Sequence, residues 1–128
     1  MAKIVIMESD KDTVFLYTHM LRKHHELTFV HTGRELLMHV RGTNVVIVNS
    51  KLPDITLDDL CDLVYRTAKP QKICILIIAA SQDESKLQQH CPGDQWIKRP
   101  FPQTALLNLI SDCLQKVSAL PKNNVYPL

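Results

Sequence analysis

Three short stretches of the chain are almost wholly apolar: Ile4 to Met7, Val45 to Val48 and Ile73 to Ile78. Each is rich in Val and Ile, the pattern of a strand buried on both faces in a parallel sheet. Leu27 to Val30 predicts a short second strand, and Gln95 to Lys98 a weaker fifth. Between these stretches the apolar residues recur at helical spacing. Val14, Tyr17 and Leu21 share one helix face, Leu36, Leu37 and Val40 a second, and Leu57, Leu60 and Val64 a third. The last helix is expected to begin near Pro102, a good first-turn residue, and to bury Leu106, Leu107, Ile110, Leu114 and Val117. Thr32 with Glu35 and Ser81 with Glu84 have the spacing of a capping box, and Thr56 with Asp59 is a looser version. Strands and helices thus alternate through the chain, which predicts a doubly wound α/β sheet. One domain is expected over residues 1–117, with 118–128 as a tail or the start of a linker.

Composition narrows this further. A chain of 128 residues suits one domain, and 45% hydrophobic with 22% charged residues argues against disorder. A net charge of +2 without a dense basic patch gives no footprint for nucleic acid. The longest apolar run, Ile73 to Ala80, is too short to span a bilayer. Lys3 leads straight into Ile4 without the features of a signal peptide, so a cytoplasmic location is expected. There Cys61, Cys74, Cys91 and Cys113 should be reduced thiols, with Cys74 and Cys113 as small core residues. The six histidines lack ligand spacing, and no C-x-x-C pair occurs, so no metal is expected. Glycines at 33, 42 and 93 make no phosphate-binding loop, and no cofactor is expected either.

In a doubly wound sheet, chemistry belongs at the carboxyl ends of the strands. The first strand ends in Glu8-Ser9-Asp10 and the third in Asn49-Ser50-Lys51-Leu52-Pro53-Asp54. The fourth ends in Ala79-Ala80-Ser81 and the fifth in Lys98-Arg99-Pro100-Phe101. In this succession, over about residues 3 to 117, the chain resembles the bacterial response-regulator receiver domain. Leu52-Pro53-Asp54 and Pro100-Phe101 carry the likeness most clearly. The resemblance implies a five-stranded parallel sheet in the order 2-1-3-4-5 with five flanking helices, the flavodoxin-like arrangement. It also implies an acidic pair after the first strand that binds magnesium, and an Asp ending the third strand that accepts a phosphoryl group. A Thr or Ser should end the fourth strand, and a Lys should precede Pro-Phe.

At these positions the chain departs from the family. Asn49 stands where the acceptor Asp is expected, and an amide is a far poorer nucleophile than a carboxylate. Ser9 replaces the second acid, leaving Glu8 as the main matched carboxylate for a cation that prefers anionic oxygen. Ala79 replaces the hydroxyl residue. Arg99 takes the place of the Lys, keeping the charge in a bulkier, planar form. Lys98 would match only with the register slipped by one, which alternation along the strand disfavours. Glu8, Asp10 and Arg99 are therefore expected to form a charge-paired cluster in a degenerate phosphoacceptor pocket, with no catalytic residue.

The resemblance further implies a partner surface on the fourth helix, fifth strand and fifth helix, here Gln89, His90, Trp96, Lys98 and their neighbours. Trp96 matches the family's rotating aromatic, and an outward pose would make it a binding hot spot. A partly buried packing role is the competing expectation. The function expected is phosphorylation-independent signalling through protein partners, with a homodimer across the same face as one form. Rival readings are a regulatory domain for an attached DNA-binding or enzymatic output and an acceptor at Ser9, Ser50 or Asp54. A ligand sensor in the old acidic pocket is a third.

Overall fold

The computed structural model describes residues 2–122. In chain order its elements are β1 (Ala2–Met7), α1 (Lys11–Leu21), β2 (His25–Val30), α2 (Gly33–Leu37) and β3 (Val45–Asn49). There follow α3 (Leu57–Ala68), β4 (Cys74–Ala79), α4 (Glu84–Gln89), β5 (Gln95–Lys98) and α5 (Gln103–Lys122). The strands form one parallel sheet in the order β2-β1-β3-β4-β5. The expected architecture is therefore present, with every predicted strand within two residues of its place.

Alternation along the strands builds a core on each face of the sheet. Val5, Val46, Val48, Ile75 and Ile77 point to one side, where Leu36, Leu60, Val64 and Leu87 cover them. Ile4, Ile6, Val45, Ile47, Leu76 and Ile78 point to the other, under Tyr17, Leu21, Leu106 and Ile110. Because β1, β3 and β4 are covered twice, they show no polar alternation. β2 lies at the sheet edge, which is why its sequence, His25-Glu26-Leu27-Thr28-Phe29-Val30, is mixed.

Several local expectations change. Leu107 is exposed, because Leu106, Ile110 and Cys113 set the buried face of α5 and Leu107 sits about 100° round the helix from Leu106. Val40 is buried, but beyond the end of α2. Thr32 and Thr56 cap as expected, accepting from the amides of Glu35 at 3.1 Å and Asp59 at 3.2 Å. Glu35 reaches back to the amide of His31 at 2.8 Å instead of that of Thr32. Ser81 caps nothing: Ser81–Asp83 is a 3-10 turn, so α4 begins only at Glu84. α5 runs past residue 117 to Lys122, and 123–128 lie outside the described residues.

The cysteine expectation also fails in part. Cys74 and Cys113 are core residues, but they are joined as a disulfide rather than held as free thiols. Cys74 points from β4 toward α5, and Cys113 lies on the buried face of that helix. Their Cα atoms are 5.5 Å apart, within the range a bridge needs. The expected compartment argued for reduced thiols and the spacing was silent, since the contact arises from packing two elements 39 residues apart. Cys61 and Cys91 are free, and burial raises the thiol pKa of both, that of Cys61 to about 12.

Candidate functional site

The carboxyl ends of β1, β3 and β5 bring together side chains that are far apart in sequence. Asn49 is the last residue of β3 and is half-buried. Its amide nitrogen donates to the carbonyl of Met7 at 3.4 Å, a long bond, and this turns its oxygen toward the loop after β5. That oxygen accepts from Arg99 Nη2 at 3.0 Å. The same nitrogen lies 3.6 Å from Glu8 Oε1. Glu8 Oε2 in turn accepts from the backbone amide of Asp10 at 3.1 Å. Asn49, Arg99 and Glu8 thus form one connected polar cluster, with the guanidinium at its centre.

Asp10 has a different task from its charged neighbours. It is the N-cap of α1, and one carboxylate oxygen accepts from the Thr13 amide at 2.9 Å and the Thr13 hydroxyl at 2.8 Å. The Thr13 backbone and hydroxyl bonds hold the Asp10 carboxyl below its ordinary pKa. Ser9 turns away, with its hydroxyl 2.9 Å from His31 Nδ1. Ala79 is fully buried at the end of β4 and offers only a methyl group where a hydroxyl could have faced the site.

The loop after β3 is held by its own polar side chains. The Ser50 hydroxyl donates to Asp83 Oδ2 at 2.8 Å and accepts from the Ala80 amide at 3.2 Å, tying β3 to the turn before α4. Both oxygens of Asp54 accept from the start of α2, from Gly33 at 2.9 Å and Arg34 at 3.0 Å. Those two bonds hold the Asp54 carboxyl below its ordinary pKa. Position 33 needs glycine, because a Cβ there would run into Ile55. The Leu52-Pro53-Asp54 sequence therefore serves the local fold.

This arrangement sets what the site can do. An amide oxygen is a far poorer nucleophile than a carboxylate, and this one is already engaged by the Arg99 guanidinium. The acid pair that would hold a divalent cation is Glu8, facing Arg99, and Ser9, facing His31. Among the described residues no three His, Cys, Asp or Glu side chains come together in a way that could hold a metal ion. The donor set does not fit a magnesium ion, since the centre of the cluster is already cationic. What the residues do support is a charge-neutralised cap over the end of the sheet.

The other singled-out residues lie elsewhere. Lys98 points away from Asn49 and pairs with Glu84 at 3.0 Å. Gln89 and His90 are exposed at the end of α4. Trp96 is half-buried against the core beneath α3 and α4, so the fully outward pose is not adopted. Sequence reasoning passed over Asp94, whose carboxylate is the centre of a separate cluster. It accepts from the Tyr65 hydroxyl at 2.6 Å, the Ile75 amide at 2.8 Å and Lys116 Nζ at 2.6 Å. An acid beside Gly93 before an edge strand looked like an ordinary turn residue, so nothing local marked it.

A response-regulator receiver domain from Clostridium thermocellum superposes with a TM-score of 0.77 at 16% identity, covering 94% of this chain and 99% of that one. The chain has the CheY-like receiver fold. The same fold relates it to an adenylate cyclase structure from Rhodopirellula baltica, with a TM-score of 0.81 at 12% identity and coverage of 95% and 93%. It also relates it to a redox sensor of the streptococci described as evolved from two-component response regulators, at a TM-score of 0.79 and 18% identity. That match covers 96% of this chain and 55% of the sensor. No family model and no curated protein sequence matches the chain. Among the described residues of this receiver fold, no helix is long and apolar enough to cross a membrane.

Proposed function

We propose that the chain is a phosphorylation-independent receiver module that acts in signal transduction by binding other proteins, in the cytoplasm and without enzymatic activity of its own. The observation that carries this reading is the bond from Arg99 to Asn49. It sets a guanidinium on an amide at the position where the receiver chemistry needs a carboxylate and a metal. A domain that keeps a fully packed scaffold while its pocket is bridged shut retains surface recognition as its working property.

Beryllofluoride with magnesium, a mimic of a bound phosphoryl group, gives the test. The backbone amide spectrum should be unchanged at Asn49, Ala79 and Trp96 when both are added to the wild type. Saturable shifts at those three positions would reject phosphorylation independence. The contact surface proposed is the α4–β5–α5 face, with Gln89, His90, Trp96 and Lys98. Against a signalling partner identified by its binding to the intact chain, Trp96→Ala should weaken the complex by roughly 2 kcal/mol, the scale of an aromatic hot spot. Lys98→Glu should slow association, since it puts a second acid beside Glu84. Unaltered binding by both variants would move the interface to another face.

A second reading is favoured by one comparison. The chain matches about half the length of the streptococcal redox sensor, so a receiver fold of this kind occurs there within a longer protein. On that reading the domain regulates an output domain attached to it.

A further inference from the structure

A cleft of about 310 Å³ opens between α1 and the start of α5. Its walls are apolar: Leu16 and Met20 from α1, Phe101 from the loop after β5, and Leu106 from α5. Thr13, Tyr17, Arg99 and Gln103 supply the polar part of the lining. Its size is at the lower end of the range for small-molecule sites, and apolar walls with a few convergent polar groups are their usual chemistry.

Tyr17 gives the second observation. The residue is only 4% exposed, yet its hydroxyl has no hydrogen-bond partner among the described residues. Every fully buried side-chain oxygen or nitrogen among those residues is paired. The Tyr17 hydroxyl is therefore not fully covered, and Tyr17 is one of the residues that line the cleft. Burial raises the phenol pKa to about 12, and the charges of Arg99 and Glu8 both reach it. The hydroxyl is thus neutral at physiological pH and able to donate. Arg99 also keeps donors in reserve: Nη2 serves Asn49 and Glu8, while the rest of the five-proton fork has no partner among the described residues.

We infer that this cleft is a binding site for a small, largely apolar molecule bearing an uncharged carbonyl, held by its acceptor oxygen between Tyr17 and Arg99. The head group must accept hydrogen bonds, since a guanidinium only donates. Local charge decides against an anion. Glu8 already neutralises Arg99, and the Asp10 carboxylate is near enough to interact with it, so a carboxylate or phosphate guest would face two acids for one cation. An amide, ester or ketone carries the same acceptor without that cost. Such a site would give the domain a chemical input that reaches the cap over Asn49 directly. The inference does not depend on how the domain signals.

The test is a titration of the intact chain followed by amide and arginine side-chain NMR. Hexanamide is the probe, with hexanoate and hexylammonium of the same chain length as comparisons. Hexanamide should cause saturable shifts at the amides of residues 13–20, 99, 101 and 103–106 and at Arg99 Nε. Hexanoate and hexylammonium should each bind at least about fivefold more weakly. Tyr17→Phe, which keeps the ring and loses one hydrogen bond, should weaken hexanamide about threefold to tenfold. Leu16→Arg, at an exposed rim position, should remove the response while leaving the remaining spectrum in place. Shifts that do not saturate or lie elsewhere would overturn the inference. So would hexanoate or hexylammonium binding as well as hexanamide, or both variants binding as the wild type does.

Discussion

Arg99 is the residue on which the site turns. Its partners, Asn49 and Glu8, come from different strand ends, and Glu8 is far less exposed than Arg99. Removing the guanidinium leaves a mostly covered carboxylate whose one remaining partner among the described residues is the Asp10 amide. The pair is partly solvated, so its strength belongs near the upper end for exposed ion pairs. Arg99→Ala should cost about 1 kcal/mol at neutral pH, most of it absent in a Glu8→Gln background. Urea unfolding of the two single variants and the double variant measures this coupling. Additive losses would mean that the 3.6 Å pair contributes nothing. At this scale the sequence was informative where the choice was between neighbours. Arg99 and Lys98 differ by one strand position, and alternation alone assigns them to opposite directions. It was silent on Tyr17, which reads as one more apolar position on α1 until the cleft beside it is seen.

At the scale of elements, two capping carboxylates make stability depend on acid. The Asp10 and Asp54 carboxyls are both held below the ordinary value of 3.8 by backbone amides at helix starts. A folded-state pKa below the unfolded one gives stability that is present above the unfolded pKa and lost as pH falls through the folded one. The loss therefore lies below about pH 4. Asp54→Asn should lower the urea midpoint at pH 6 and shrink its fall between pH 4 and pH 2.5. Parallel wild-type and variant curves over that window would contradict the assignment.

A second prediction at this scale concerns the bridge between β4 and α5. It closes a loop over a sequence separation of 39, and bridges typically stabilise by roughly 2–4 kcal/mol, with chain entropy for this loop near the upper end. Reductant should lower the unfolding free energy by about that amount in the wild type and leave a Cys74→Ala, Cys113→Ala double variant unaffected. Equal sensitivity would show that the bridge does not stabilise the fold. The core strands were plain in sequence because two covered faces demand unbroken apolar runs. The start of α4 was not, because Ser50 and Asp83 organise the preceding turn from elements outside the local pattern. The Asp94 cluster escaped for the same reason, as its partners come from α3, β4 and α5.

Across the whole molecule the receiver fold is intact, while its reactive end is joined up by ordinary structural bonds. The strands and their double covering were legible in the hydrophobic pattern, which acts over the length of each element, whereas the strand order was expected only from the resemblance to the receiver family. What the pocket does rests on the directions of a few side chains, and these follow from tertiary contacts that composition and spacing do not contain. On the proposed function, no residue of this chain accepts a phosphoryl group. Intact mass after incubation with magnesium and a small-molecule phosphodonor tests it most directly, with Asn49→Asp and an Asn49→Asp, Arg99→Lys double variant measured alongside. The wild type should keep an unmodified mass, and the double variant alone should gain an adduct. A phosphoryl adduct on the wild type, mapped to Ser9, Ser50, Asp54 or any other side chain, would contradict it.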